Sequence, residues 1–213
     1  MVVVSAALVV TTNARLEQAP AARPGSDLLY LPTGRALAAL TLGERPLVAD
    51  LFYLWAIQYY GNYDVEHRYE YVEKIFSGVI TELDPHYRDA YWLGALIMSV
   101  EAKDLDGALR LLDKGIESNP GEWRLPYLAG WECYFQQRYD LAAGYFQKAI
   151  KMPGAPASIQ RACAAMFARS GDRAGALARW QALASDPTMD EATRSIAARR
   201  LRDLTIERDL ATL

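Results

Sequence analysis

Cysteine and histidine are scarce: two of each in 213 residues give too few thiols for a disulfide framework and too few ligands for a structural zinc site. The chain has no Gly-rich phosphate loop, no HExxH pair and no Ser-His-Asp set with a recognisable local signature. No catalytic residue, metal site or cofactor is therefore assigned, and the expectation is a protein that is not an enzyme. Clustered cations are missing as well. With 23 Lys+Arg against 26 Asp+Glu, the net charge of −3 offers none of the phosphate-neutralising surface that polynucleotide binding draws on, which excludes nucleic acid as the expected partner. Long apolar runs are also lacking: Met1–Val10 (MVVVSAALVV) falls well short of the about 20 residues a helix needs to cross a bilayer.

What is there is alanine, at 34 positions, in a composition that is 52% hydrophobic, 11% aromatic and 23% charged. That mix is too apolar for a disordered chain, long enough to bury a core without staples, and favours helix. The charges are uneven. Residues 48–118 carry 13 acids against 6 Lys+Arg, and residues 157–213 carry 9 Arg against 7 acids. Such asymmetry can orient docking, or it can belong to ordinary solvated helix faces.

Met1–Val10 has no cation ahead of it, and the small-residue cluster Ala19–Ala22 lies far behind, so it matches a signal peptide only in part. Two readings are open for residues 1–19. They form a membrane-associated segment or signal-anchor remnant, touching the membrane through residues 1–12, or they pack into the core as a strand or helix. Residues 20–46 read as a linker (PAARPGS at 20–26) and a short leading helix from Arg35 to Leu42. Leu47–Tyr60 (LVADLFYLWAIQYY) and Asp64–Leu83 then make a divergent helical hairpin over residues 47–88, its second helix lengthened by nearly two turns.

A period of 34 organises the rest. It relates Ala108, Ala142 and Ala176; Leu112, Phe146 and Trp180; Gly115, Ala149 and Leu183; and, one helix earlier, Ala95, Ala129 and Cys163. A small residue lets two helices approach, and the bulky residue four positions later fills the groove beside it. These columns define three units, 89–122, 123–156 and 157–190, followed by a capping helix within 191–213. In that cap Ile196, Ala197, Leu201 and Leu204 face inward while Arg194, Arg199, Arg200 and Arg202 make the polar outer side a terminal repeat requires. The expected fold is all-α, a solenoid of antiparallel helical hairpins. The first unit departs by placing Leu96 where Gly130 and Ala164 supply small residues, which predicts a locally wider helix crossing.

The stretch WECYFQQRYDLAAGYFQKAI, with Leu128-Ala129-Gly130 ahead of it and Pro120 closing the previous unit, resembles the tetratricopeptide repeat (TPR) family. The resemblance implies a right-handed superhelix whose first helices line a concave surface. Carried over position by position, it places Leu93, Ile97, Val100 and Glu101, then Arg124, Tyr127, Trp131, Tyr134 and Phe135, then Arg161, Ala165 and Arg169 on that surface. Residues 31–61 (LPTGRALAALTLGERPLVADLFYLWAIQYYG) also resemble the opening of bacterial envelope proteins that join a membrane anchor to such repeats.

Aromatic residues and arginine are enriched where interfaces concentrate binding energy. Trp55, Tyr59, Tyr127, Trp131, Tyr134 and Phe135 are therefore expected to form an apolar groove for a partner helix or peptide, flanked by Arg124, Arg161 and Arg169 for a carboxylate. The competing reading is that these rings only pack between neighbouring repeats. Cys133 and Cys163 fall on first helices of adjacent units, either as small buried hydrophobes or as a disulfide pair outside the cytoplasm. His67 and His86 sit at helix ends without further ligands, and Asp84, Asp89, Asp104 and Asp106 belong to turns and caps. The resulting expectation is a non-catalytic adaptor with protein partners, in a bacterial envelope assembly such as a secretion, pilus or transport system. A permanent structural subunit of a larger membrane or filament complex is the alternative. The expected location is the cell envelope, associated with membrane, or else the cytoplasm.

Overall fold

The computed structural model describes residues 31–210 except Leu42, Asp64 and Glu66, with backbone alone for 207–210. The readings made for residues 1–19 and for the linker 20–26 lie outside the described residues.

Ten helices follow one another among the described residues. Helix α1 (Gly34–Leu40) is capped by Thr33, whose Oγ1 accepts from Ala36 N at 3.3 Å, and it packs on α3. Helix α2 is Arg45–Gly61, with Pro46 in its first turn, where a missing N–H costs nothing. Helix α3 runs over 68–83 and changes its winding three times: a 3-10 turn at Arg68–Tyr71, an α turn at Val72–Ile75, a π turn at Phe76–Ile80 and an α turn at Thr81–Leu83. It begins four residues later than the sequence predicts, because His67 takes a left-handed conformation (φ 52°) that an α-helix cannot pass through. The π turn loosens carbonyls, and Lys114 covers them: its Nζ donates to Ser77 O at 2.7 Å and to Thr81 Oγ1 at 3.0 Å, while Thr81 Oγ1 donates to Phe76 O at 2.9 Å.

The regular hairpins come next. Helix α4 is Arg88–Leu96, prolonged by a π turn at Ile97–Glu101; α5 is Leu105–Ser118, α6 Arg124–Phe135, α7 Tyr139–Ile150, α8 Ser158–Arg169, α9 Arg173–Ser185 and α10 Glu191–Leu210. Each odd helix from α3 to α9 packs on the helix before it and on the helix after it, which stacks hairpin upon hairpin. The joints repeat as well. Lys103, Gln137 and Gly171, spaced by 34, all have positive φ (59°, 59° and 88°), and the chain turns there from the first helix of each hairpin to the second. Asp104 and Asp172 then cap α5 and α9, each accepting a backbone N–H at 2.8 Å, from Gly107 and Gly175.

The 34-residue columns become the core. Ala108, Ala142 and Ala176 are each fully buried, Leu112, Phe146 and Trp180 are at most 4% exposed, and Gly115, Ala149 and Leu183 are buried beside them. Close approach is literal: a Cβ on Gly130 would sit 2.7 Å from the Phe146 ring, and one on Gly115 would sit 2.7 Å from the Tyr91 ring. The core is continuous from Ala49 to Met166, and a smaller second cluster of Ala164, Ala176, Trp180, Leu183 and Ala197 sits under α10.

Helix α4 corrects one expectation. The buried positions of α6 and α8 lie 34 apart: Leu125 and Ile159, Ala129 and Cys163, Gly130 and Ala164. In α4, Ala90, Tyr91, Gly94 and Ala95 are the buried set ahead of the π turn, and they lie 35 before Leu125, Pro126, Ala129 and Gly130. Within the π turn the lag returns to 34, with Met98 and Ser99 preceding Glu132 and Cys133. The turn absorbs one extra residue. The small-residue column therefore passes through Ala95, and Leu96 falls beside it, half-buried.

Candidate partner-binding face

The exposed side of α6 is a continuous run of rings. Trp131 stands at its centre, 6.1 Å from Tyr127, 5.2 Å from Tyr134 and 5.9 Å from Phe135 between ring centroids, the first two edge-on. Helical spacing places them so, since positions three and four apart share a face. Tyr127 and Trp131 also lean on the buried Phe146 at 5.9 and 5.7 Å, which ties the surface row to the small-residue crossing beneath it. Packing and exposure thus coexist in one cluster. Phe135 is the outermost member, 70% exposed.

The arginines take three different places. Arg169 of α8 lies over Tyr134 and Tyr139, 5.3 and 5.6 Å from their centroids, and so extends the aromatic row onto the next hairpin. Arg161 donates to Thr193 Oγ1 at 2.6 Å, joining α8 to α10. Arg124 is engaged at home: its Nη1 is 3.2 Å from Glu122 Oε1, while Arg88 Nη1 is 2.7 Å from Glu122 Oε2. Burial pushes the Glu122 carboxyl up, but the two guanidiniums outweigh it and hold the group below the ordinary carboxylate range. A carboxylate approaching Arg124 must compete with that anion.

Trp55 and Tyr59 stack on each other at 5.4 Å on α2, and Tyr59 meets Tyr60 edge-on. Among the described residues no ring pair joins this group to the α6 row, so the structure presents two aromatic patches. The α4 register supplies a residue the sequence pattern hides. With the lag of 35, Trp92 is the counterpart of Tyr127; it is 49% exposed and lines, with Arg88, Asp89, Glu122, Arg124 and Leu125, a cleft of about 340 Å³ beside the α6 row. The search for a 34-residue column passes over it, whereas a 35-residue lag over residues 90–95 finds it.

Behind this face the titratable groups are structural. Glu132 is 3% exposed, and its Oε2 accepts from Ser99 Oγ at 2.6 Å; burial raises its carboxyl above the ordinary value against that hydrogen bond. Cys133 and Cys163 are free and buried, and burial pushes their thiols up to about 12 and about 11, far from a reactive thiolate. No group of His, Cys, Asp and Glu that could hold a metal ion occurs among the described residues.

No family model and no curated protein matches the chain. Solved structures do. The chain resembles MamA AMB-1, with 21% identity, covering 68% of this chain and 76% of that one at a TM-score of 0.47, and a second MamA crystal structure, with 14% identity, 66% and 84% coverage and a TM-score of 0.43. It also resembles a chain of Naa15/Naa10 bound to HypK-THB, with 16% identity over 76% of this chain and 25% of that one, at a TM-score of 0.44. The chain's own geometry decides the class: helical hairpins stacked in line, buried alanines every 34 residues, and a left-handed joint at the same interval. The chain is a TPR-like helical repeat. Among the described residues, no helix of this TPR-like chain is long and apolar enough to cross a membrane.

Proposed function

We propose that this TPR-like chain, with units at 89–122, 123–156 and 157–190, is a non-catalytic adaptor that captures a helix or peptide of a partner protein on the exposed face of α6 and its neighbours. The observation that carries the reading is the Tyr127–Trp131–Tyr134–Phe135 row, whose first three rings are half-buried, two of them on Phe146, and whose outermost ring, Phe135, is 70% exposed. Rings already fixed by packing bind at low entropic cost. Trp92 and Arg169 extend the surface on either side, and Trp55 with Tyr59 forms a separate patch. The apolar Met1–Val10 supports placing the adaptor in an envelope assembly of the secretion, pilus or transport kind. Affinity capture from the native source tests the reading: Phe135→Ala, which touches little of the core, should cut recovery of the specific partner at least about tenfold while helicity is unchanged. Unchanged recovery would sink it.

A second reading has its own support. On α2, Leu47, Leu51 and Leu54 are 55–59% exposed and fall on one side of the helix, with Ile57 exposed a turn further on. An apolar stripe of that kind suits a subunit permanently covered by neighbours. It predicts that purified residues 31–213 aggregate and that Leu51→Glu with Leu54→Glu cures this; a well-behaved monomer of the unaltered chain speaks for the adaptor.

A further inference from the structure

We infer that the chain pairs with a second copy of itself through α2, about a two-fold axis that passes the middle of that helix. This goes beyond both readings above, because a second copy is neither the partner of the α6 face nor a foreign neighbour.

Helix α2 has two opposite sides. Ala49, Ala56 and Tyr60, each 7% exposed or less, face the core, and at about 100° per residue Leu47, Leu51 and Leu54 point the other way. Their spacing of four and then three residues is that of a coiled-coil seam, flanked by Trp55 and Ile57, 38% and 43% exposed. The seam is uncharged. Arg45, in the first turn, is the only cation of the helix, and its only acid, Asp50, lies against Tyr87. A helix that settles on a lipid surface carries lysine and arginine along its polar side, which α2 does not. An apolar seam without charge is matched by another such seam, and a second copy supplies one by symmetry.

The other end of the stack decides the symmetry. A terminal repeat needs a polar outer side, and α10 has one, with Arg194, Arg199, Arg200 and Arg202 exposed. Helix α2, in the first hairpin of the described residues, presents leucines instead. Head-to-tail joining would press the leucines of one copy on the arginines of the next, at the cost of desolvating those cations, whereas an isologous pair sets leucine on leucine and closes. Leu51, the middle of the seam, then lies beside the axis and meets its own counterpart. Five part-exposed side chains are fewer than the about 20–30 residues that a standard interface takes from each side, so the pair should come apart on dilution.

Sedimentation velocity of the purified full chain over a range of concentrations tests this. A reversible monomer–dimer equilibrium is expected, with a dissociation constant on the order of 1–100 μM. Leu51→Glu with Leu54→Glu, both at exposed positions, should weaken it at least about tenfold, with helicity and thermal midpoint unchanged. Because Cys133 and Cys163 are buried, a short bismaleimide reacts first at an introduced thiol. Leu51→Cys should then give a covalent dimer, and Gln181→Cys, exposed on α9, should give none. A monomer at every concentration, or a dimer that the glutamates leave intact and Leu51→Cys does not trap, would overturn the pairing. Assemblies larger than a dimer that the glutamates dissolve would overturn the closed pair and leave standing the reading of a subunit covered by foreign neighbours.

Discussion

Helices α4 and α6 occupy the same place in successive hairpins, yet one needs a π turn and the other does not. Helix α6 keeps one register from Leu125 to Cys133, with Ala129 and Gly130 at the crossing. Helix α4 reaches an equivalent burial with one residue more, which the turn at Ile97–Glu101 takes up so that Gly94 and Ala95 still meet the neighbouring helices. The buried face is held by packing and the backbone winding gives way to it, since a slipped register would put leucines in water and polar side chains in the core.

The largest test of that comparison is deletion. Removing Ile97 should convert α4 to a regular helix at a cost of about 2–5 kcal/mol, the loss of one buried side chain. Removing Trp131 rotates the rest of α6 by about 100°, takes Glu132 and Cys133 off the core, and should abolish cooperative denaturant unfolding. Next in size is the crossing itself. Gly130→Ala places a methyl 2.7 Å from Phe146 and should destabilise by about 1–3 kcal/mol, whereas Gly144→Ala, with nothing within 4 Å, should stabilise α7 by about 0.5–1 kcal/mol in the same assay.

Smaller still is the effect at the joints. Lys103 and Gln137 hold the left-handed conformation that Gly171 takes without steric cost, so Gln137→Gly should gain about 1 kcal/mol in thermal unfolding and Gly171→Ala should lose a similar amount. The smallest effect lies in the shape of the pH dependence. Burial raises the Glu132 carboxyl above its ordinary 4.5 in the folded chain, so the folded state holds that proton more tightly. Its contribution is intact below 4.5 and is lost as pH climbs through the raised value. Glu132→Gln keeps an acceptor for Ser99 and should flatten the decline of thermal midpoint between mildly acidic and neutral pH.

The fold is legible because packing writes itself into sequence at fixed intervals. Ala108, Ala142 and Ala176 mark helix crossings that tolerate little else, and the bulky column beside them follows from the same geometry. The sequence predicts helix from Asp64 because Tyr69, Val72, Phe76, Val79, Ile80 and Leu83 follow at helical spacing, a pattern that does not register the left-handed φ of 52° at His67. The face is half legible. The ring spacing in α6 is helical arithmetic, but Trp92 is displaced by one residue through the π turn, Arg124 is claimed by Glu122, and Arg200 faces a cavity. The Trp92 shift and the Arg200 cavity depend on packing between elements, which no local pattern records, whereas the Arg124–Glu122 pair joins residues only two apart in the chain.

The central claim is that partners meet the α6 face, and site-specific photocrosslinking in the native cell addresses it whatever the partner is. Benzoylphenylalanine would replace Phe135 on α6, Leu51 on α2 and Gln181 on α9, one at a time. A discrete protein adduct is expected from position 135 and none from 181. Adducts confined to position 51, or equal at all three, would contradict it.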